Sequence, residues 1–386
     1  MNFRANAANS RQMNLTNTAY GTWSGGRFMH YGEALDDERM TGLIRLAYEE
    51  GVRTFVTADT YGTGKADEML GSALAPFDRD TYCLVGSVGH DIYDGVRAGS
   101  KGYPRFTDPE LRGPDGYAEY LKTAATRQAE RCGTSHFDLL MLHNPDSIGY
   151  TSDAVWEGLG ALKKEGLAER IGIAPGPANG FTTDLIHCFE TYGSEIDWAM
   201  VILNPMEPWP GSLVLPSAVE AGIEIMTRVV DYGGLFHGDV LPGHHFKDGD
   251  HRTYRPDGWV DHAYEKIGPM KEIAERHGLS LLQFACQWNL AQPAVNCVVP
   301  TIIQEQGETA RPVEDKIREL GAVTADIVLT DDEIMQVAHL GSNVGCMKLK
   351  GASSRHPEDM EVTADQWPMR PELLSIADRF QLDPSW

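Results

Sequence analysis

The sequence predicts an α/β protein, a single (β/α)8 TIM barrel with a long loop after the seventh strand and a C-terminal extension. Short apolar runs alternate with amphipathic stretches over most of the 386 residues, a pattern typical of strand–helix units. The apolar runs are continuous, as expected of parallel strands buried on both faces. About eight such units close a barrel. No GxGxxG turn follows the first strand, which disfavours the competing open, doubly wound sheet.

Seven strands are predicted from the apolar runs, and an eighth, which comes first in the chain, is placed near Leu15–Thr22. The seven runs are Val52–Thr57, Tyr82–Ser87, Phe137–His143, Arg170–Ala174, Ala199–Leu203, Glu224–Val229 and Ala294–Pro300. Between them, six stretches have the apolar spacing of amphipathic helices. These stretches are Asp37–Gly51, Tyr117–Cys132, Ser152–Gly166, Thr182–Tyr192, His262–Gly278 and Ser280–Ala291.

Two regions lie outside the strand–helix repeat. Residues 231–261 follow the seventh strand as a long loop, and residues 341–386 form the C-terminal extension. We therefore expect one barrel domain over residues 1–340 and an extension over 341–386 that packs on or near it. Because the loops at the carboxyl ends of barrel strands build the active site, both regions are candidates to cover it.

The chain is strongly acidic, since 33 Lys and Arg residues against 56 Asp and Glu residues give a formal charge of −23. Such a field repels phosphate backbones and anionic membrane surfaces, so neither nucleic acid nor a membrane is expected as a partner. No apolar run approaches the roughly 20 residues that span a bilayer, and no apolar signal-peptide core follows the first residue. The six cysteines form no CxxC pair, so we expect buried free thiols in a reducing cytoplasm and no zinc site.

Five stretches, spread in consistent order over roughly residues 15 to 340, resemble aldo-keto reductases. They are GVRTFVTADTYGTGKADEMLGSAL (51–74), HFDLLMLHNPD (136–146), ALKKEGLAERIGIAPG (161–176), TRVVDYGGLFHGD (227–239) and LLQFACQWNLAQPAVNCVVP (281–300). Several matches in register make this resemblance more specific than one short motif. It implies a barrel enzyme that reduces carbonyls with a nicotinamide cofactor.

The resemblance implies that Tyr61 is the general acid and that His143, at the end of its strand, orients the carbonyl. The family also uses a lysine and aspartate pair, which lowers the pKa of the tyrosine so that it can protonate the alkoxide formed by hydride addition. Here the aspartate position is Val56 and the lysine position is Ser87, so both members of the pair are missing. Asp59 matches an acidic position that is common in the family but not catalytic.

His90 follows the third strand, near the missing lysine. Ser87 and His90 are therefore the candidate catalytic substitutes for the missing pair, although His90 is also compatible with an ordinary loop residue. Four residues at or after the sixth and seventh strands are candidates for substrate contacts, where an arginine would suit a carboxylate or hydroxyls and aromatic rings would line an apolar or sugar-binding cleft. These four are Asn204, Trp209, Arg228 and Tyr232. Arg228 is also compatible with a structural ion pair, and the two aromatic residues with packing.

The cofactor contacts implied by the resemblance are altered in part. A Ser-Asn pair that holds the nicotinamide amide is Ala174-Pro175 here, which offers no side-chain donor. The segment that covers the pyrophosphate and the turn that holds the adenosine phosphate correspond to Gly233, Gly234, Arg311 and Glu314. NADP or NAD is the expected cofactor, and an enzyme without a cofactor is the alternative. No metal is expected, because the loop histidines would have to converge from distant segments.

Three functions are compatible with these observations. The first is an NAD(P)-dependent oxidoreductase acting on a carbonyl or sugar-like hydroxy compound, with Tyr61 as acid or base and His143 orienting the carbonyl. The second is a redox-neutral lyase, dehydratase or isomerase that uses the same two residues as an acid–base pair. The third is a non-catalytic interaction subunit that retains the barrel. A small-molecule substrate is the expected partner in the first two, and the oligomeric state is open.

Overall fold

The computed structural model describes residues 15–99, 102–176, 181–255, 257–344 and 370–382. Within these ranges eight parallel strands form one sheet, and each strand pairs with the next in chain order. The strands are β1 (Ala19–Gly21), β2 (Thr54–Val56), β3 (Cys83–Val88), β4 (Leu139–His143), β5 (Ile171–Ala174), β6 (Trp198–Ile202), β7 (Glu224–Arg228) and β8 (Val295–Val299).

The sheet curls until its two edge strands lie side by side. The backbone N–H of Val298 donates to the carbonyl of Asn17 at 2.8 Å, and Thr18 forms a parallel bridge with Val298. The predicted (β/α)8 barrel is therefore confirmed. The observed strands are mostly shorter than the predicted apolar runs, because those runs continue into the buried ends of the connecting loops.

Helices cover the outside of the barrel. They are α1 (Asp37–Glu49), α2 (Lys65–Leu74), α3 (Tyr117–Arg131), α4 (Ser147–Thr151), α5 (Asp153–Lys164), α6 (Thr182–Tyr192), α7 (Val214–Ala221), α8 (Trp259–Arg276), α9 (Leu281–Leu290), α10 (Val313–Gly321), α11 (Asp331–Leu340) and α12 (Leu374–Arg379). Local sequence fixes several of their starts. In α9, for example, the Ser280 hydroxyl accepts from the N–H of Gln283 while the Gln283 side chain accepts from the N–H of Ser280, a capping box.

Two layers of apolar side chains explain why the strands read as continuous apolar runs. On β4, Leu139 and Met141 point into the barrel, whereas Leu140 and Leu142 pack against the helices. The same alternation fills the barrel interior from the other strands, so it is a packed core and not a channel. The five described cysteines are all buried and free, as predicted.

The loop after β7 is shorter than predicted, because α8 begins at Trp259 and not at residue 262. Of the predicted extension, the structure describes residues 341–344 and 370–382, and the rest lies outside the described residues. The described part packs on α6, where the Arg370 guanidinium donates to Asp184 at 2.5 Å. No helix in the described ranges has the length and apolar content to cross a membrane.

Candidate active site

A cavity of about 370 Å³ opens at the carboxyl ends of the barrel strands. Every strand from β2 to β8 contributes a residue at, near or just after its carboxyl end. These residues are Val56, Ser87, His143, Ala174, Met200, Arg228 and Thr301. The loop after β7 closes one side with Asp231, Gly233, Arg252 and Arg255. A cavity in this position is where barrel enzymes place their chemistry.

Tyr61 and His143, the two main predicted catalytic residues, meet in this cavity. Their rings lie edge to face with centroids 6.0 Å apart, and Trp23 contacts the other side of the Tyr61 ring at 5.9 Å. Burial raises the pKa of the Tyr61 phenol, while the nearby Arg228 guanidinium acts in the opposite direction. With Val56 and Ser87 in place of the charged pair, Tyr61 keeps its proton at neutral pH.

The Asp59 carboxylate binds His143 at its Nδ1 atom. One carboxylate oxygen, Oδ1, lies 3.1 Å from His143 Nδ1, and the other, Oδ2, accepts from the backbone N–H groups of Gly89 and His90 at 2.7 and 2.9 Å. Burial alone would raise the pKa of Asp59, but the adjacent His143 and His90 side chains lower it overall. Asp59 is therefore ionised, which places the proton of a neutral His143 on Nδ1.

The remaining nitrogen of His143, Nε2, is thus left as a lone-pair acceptor on a residue that lines the cavity. Burial lowers the pKa of His143 to about 4, against the opposing effect of Asp59. Sequence reasoning missed this partnership. Asp59 stands only two positions before Tyr61 but 84 positions before His143, and no local pattern reveals such a contact.

His90 lies next to this pair but does not line the cavity. Its Nδ1 is 3.5 Å from Asp59 Oδ1, and its ring centroid is 5.0 Å from that of His143. The Tyr120 hydroxyl donates to its backbone carbonyl at 2.7 Å and so anchors the loop. Asp59, His90 and His143 each offer one ligand atom, and these three atoms lie within 4.8 Å of one another, a spacing that could also hold a metal ion.

Of the four predicted substrate contacts, only Arg228 lines the cavity. Asn204 is fully buried, and its side-chain N–H groups donate to Glu207 Oε2 and to the carbonyl of Val229, both at 3.0 Å. Trp209 packs on Ala377 and Leu382 of the C-terminal segment. Tyr232, in the loop after β7, is fully buried. The structure therefore places these three side chains in supporting positions, away from the cavity.

The four residues predicted to contact the cofactor do not all lie at the cavity either. Gly233 lines the cavity, but Gly234 does not, and a Cβ there would stand 3.2 Å from Arg252 Nη1 and Glu305 Oε1. Arg311 forms an ion pair with Glu319, and its Nη1 donates to the carbonyl of His237 at 2.9 Å. Glu314 pairs with Arg39 at 2.9 Å. Neither Arg311 nor Glu314 lines the cavity.

Comparison with known proteins decides the family. The profile of the aldo/keto reductase family matches residues 18–309, about three quarters of the chain. The chain belongs to this family. A curated relative, the versiconal hemiacetal acetate reductase of Aspergillus parasiticus, is 24% identical in an alignment 304 positions long that covers 68% of this chain and 78% of the relative.

Two solved aldo-keto reductase structures share the fold. A glycerol dehydrogenase from Gluconobacter oxydans superposes with a TM-score of 0.66 at 21% identity, covering 85% of this chain and 92% of its own. An aldo/keto reductase from Klebsiella pneumoniae in complex with NADP and acetate gives a TM-score of 0.56 at 18% identity, covering 84% and 90%. The relatives that match this chain include oxidoreductases, and one of the solved structures is in complex with NADP.

One side chain of this aldo-keto reductase fits a phosphate-bearing cofactor although sequence reasoning did not single it out. The Arg255 guanidinium stacks over the rings of Tyr232 and Trp259 at 4.6 and 4.5 Å, and it lies 3.5 Å from where a Cβ of Gly233 would stand. Its Nη1 has no hydrogen-bond partner among the described residues. Arg255 and Gly233 both line the cavity, so Arg255 offers a positive charge to an anionic group there.

Proposed function

We propose that the protein is a nicotinamide-dependent oxidoreductase that interconverts a hydroxyl and a carbonyl group in the cavity at the carboxyl end of the barrel. One observation carries this proposal. Tyr61 and His143 face each other with ring centroids 6.0 Å apart, and the buried Asp59 carboxylate holds His143 in a single tautomer. Membership of the aldo-keto reductase family supports the reaction class.

His143 moves the proton in this proposal. When a substrate hydroxyl is oxidised, its O–H proton passes to His143 Nε2, and the imidazolium that forms is stabilised by Asp59 at Nδ1. A bound nicotinamide ring would accept the hydride from the carbon that bears this hydroxyl. In the reductive direction His143 returns the proton to the oxygen. His143 is thus given more than the orienting role implied by the family resemblance.

Tyr61 contributes a hydrogen bond to the reacting oxygen. Because burial raises its pKa, the phenol remains protonated and can donate to a developing alkoxide without ionising. This role differs from the expected one, in which a lowered pKa lets the tyrosine release its proton. The change follows from the missing lysine and aspartate, whose positions are Ser87 and Val56.

The cofactor would be held on the β7 side of the cavity. Arg255 and Gly233 would contact its phosphates, since both residues line the cavity and no carboxylate of the described residues lies within ion-pair distance of Arg255. Arg311 and Glu314 are already bonded to protein groups, so we do not assign them to the cofactor.

Calorimetric titration with NAD and with NADP, followed by turnover assays on hydroxy compounds, tests the proposal. We expect binding of at least one cofactor below millimolar concentration, and Tyr61→Phe should leave that binding intact while lowering kcat by about 10²-fold or more. Tyr20→Phe is the matched control, because the Tyr20 hydroxyl is also buried but lies away from the cavity.

Three results would contradict the proposal. Failure of both cofactors to bind at millimolar concentration would remove the redox reaction. Turnover without any cofactor, abolished by Tyr61→Phe, would point to the redox-neutral lyase, dehydratase or isomerase. Tyr61→Phe and His143→Ala variants that leave every activity unchanged would point to the non-catalytic subunit.

A further inference from the structure

Arg228 brings a half-buried positive charge to the cavity wall without a carboxylate partner. Its Nη2 donates to two backbone carbonyls, those of Pro175 at 2.9 Å and Gly176 at 2.5 Å. Its Nε has no hydrogen-bond partner among the described residues. The ionisable groups that act on it most strongly are the phenols of Tyr61, Tyr31 and Tyr150, which are uncharged at neutral pH.

Two other buried cations of the barrel are paired with carboxylates. Arg252 is 1% exposed and contacts both Asp250 and Glu305, and Lys316 lies 2.6 Å from Asp239. A cation removed from water without a counter-charge destabilises a fold, so stability does not explain why Arg228 is left without a carboxylate. The charge is better explained by a ligand that neutralises it.

The backbone beside Arg228 is strained in a way that supports a functional role. Val229 follows directly and has a φ of 59°, the left-handed region that β-branched residues strongly avoid. Asn204 holds this corner by donating to the Val229 carbonyl at 3.0 Å, and Glu207 in turn fixes Asn204. Backbone strain that is maintained by surrounding hydrogen bonds is found mainly at ligand sites.

We propose that Arg228 binds a carboxylate of the substrate, so that the substrate is a hydroxy acid or the corresponding oxo acid. Arg228 and Tyr61 line the same cavity, and Arg228 is the charged group that acts most strongly on the Tyr61 phenol. One small molecule can therefore place its carboxylate at Arg228 and its hydroxyl between Tyr61 and His143. The assignment of that hydroxyl as the reacting group rests on the proposed function, but carboxylate binding itself does not.

Paired probes test this inference by binding alone. Sodium D-glucuronate is compared with D-glucose, and sodium D-glycerate with glycerol, by calorimetry on the wild-type protein without cofactor. In at least one pair the acid should bind about tenfold or more tightly than its neutral partner. Arg228→Gln should abolish that preference, and Arg228→Lys should keep part of it, because an ammonium retains the charge but not the planar fork.

Arg255→Gln is the matched control, since it removes the other arginine that lines the cavity without a carboxylate partner within ion-pair distance in the described ranges. It should leave the acid preference intact while weakening binding of ADP-ribose, which carries the phosphates of the cofactor. If Arg228→Gln instead weakens ADP-ribose binding and spares the acids, Arg228 holds a cofactor phosphate and the inference is wrong.

Equal affinity for acid and neutral partner in both pairs would also overturn the inference. Thermal unfolding of each variant checks that it folds. If both Arg228 variants fail to fold, the comparison of acid and neutral probes on the wild-type protein still shows whether the protein prefers a carboxylate. Because no turnover is measured, failure of nicotinamide binding would defeat the proposed function and leave this result intact.

Discussion

Two charged regions of the barrel differ in how their charges are paired. In the loop network, which we define as Asp239, Lys316, Asp250, Arg252 and Glu305, each described charge meets an opposite one, with Lys316 and Asp239 fully buried at 2.6 Å. In the cavity, the Arg228 guanidinium faces no carboxylate. The network therefore stabilises the loops after β7 and β8 by itself, whereas the cavity is completed by what binds there.

The comparison predicts that variants in the network change stability and variants around the cavity change function. Asp59→Asn should give the largest functional effect. An amide cannot stabilise a His143 imidazolium and no longer selects the tautomer with the proton on Nδ1, so kcat should fall by about 10²–10⁴-fold. Steady-state kinetics on the best substrate checks this, with Asp94→Asn, whose side chain is 76% exposed on the loop after β3, as the control.

The same kinetic assay distinguishes a direct hydrogen bond between Asp59 and His143 from a metal site. If Asp59 acts on His143 directly, dialysis against EDTA should leave kcat unchanged. A loss of activity on EDTA treatment that is restored by a divalent cation would show that Asp59, His90 and His143 hold a metal, and the proton role of His143 would need revision.

In the network, Lys316→Met should cost about 3–5 kcal/mol of unfolding free energy, because it leaves Asp239 buried and unpaired. Urea denaturation measures this. Lys271→Met is the control, since Lys271 and Glu275 form a pair with 59% and 64% side-chain exposure, worth at most about 0.5 kcal/mol. Adding Asp239→Leu to Lys316→Met should recover part of the loss. If Lys316→Met alone lowers the unfolding free energy by less than about 1 kcal/mol, the contrast between the network and the cavity is wrong.

The pH dependence of stability should reflect two buried histidines. Burial lowers the pKa of His143 to about 4 and that of His237 to about 3, while an unfolded histidine titrates near 6.5. Between these values the unfolded chain binds more protons, so the stabilisation is complete above about pH 6.5 and is lost as the pH falls towards about 4.

We expect His237→Gln to reduce the stability difference between about pH 7 and about pH 5 by roughly 1 to 2 kcal/mol. Urea denaturation at the two pH values provides the measurement, and the exposed His245→Gln provides the control. An unchanged difference in the His237 variant would mean that this histidine is not the neutral, buried group described above.

The smallest expected effect concerns Glu314, which the sequence assigned to the cofactor. Because Glu314 is bonded to Arg39 and about a third of its side chain is exposed, Glu314→Gln should cost less than about 1 kcal/mol and leave cofactor affinity unchanged. Calorimetry on the variant checks both. A clear drop in affinity for NAD or NADP would restore the assignment implied by the family resemblance.

The fold was predictable because its signals are local and repeated. The stretch Thr182–Tyr192 was predicted with the bounds it has as α6, and the apolar runs located the seven strands β2 to β8. The helix α7 was missed because it is short, carries Pro216 and is apolar on more than one face, so it lacks a clear helical period.

The site was predictable only where the family resemblance supplied a register. Tyr61 and His143 were placed in that way and do meet in the cavity. Asp59 and Arg255 were not found, because their roles depend on contacts that barrel closure and the fold of the loop after β7 create. The side chains of Asn204 and Trp209 were expected at the substrate, but polar and aromatic residues after a barrel strand equally serve to hold its loops.

The backbone at Val229 has a consequence for anyone who selects variants of this protein in the laboratory. A screen for heat resistance alone should favour Val229→Gly or Val229→Asn, because both residues adopt a φ of 59° at lower cost than valine. The same changes would let the corner beside Arg228 relax. We therefore expect robustness and substrate discrimination to trade against each other at a residue that contributes no charged or hydrogen-bonding side chain to the cavity.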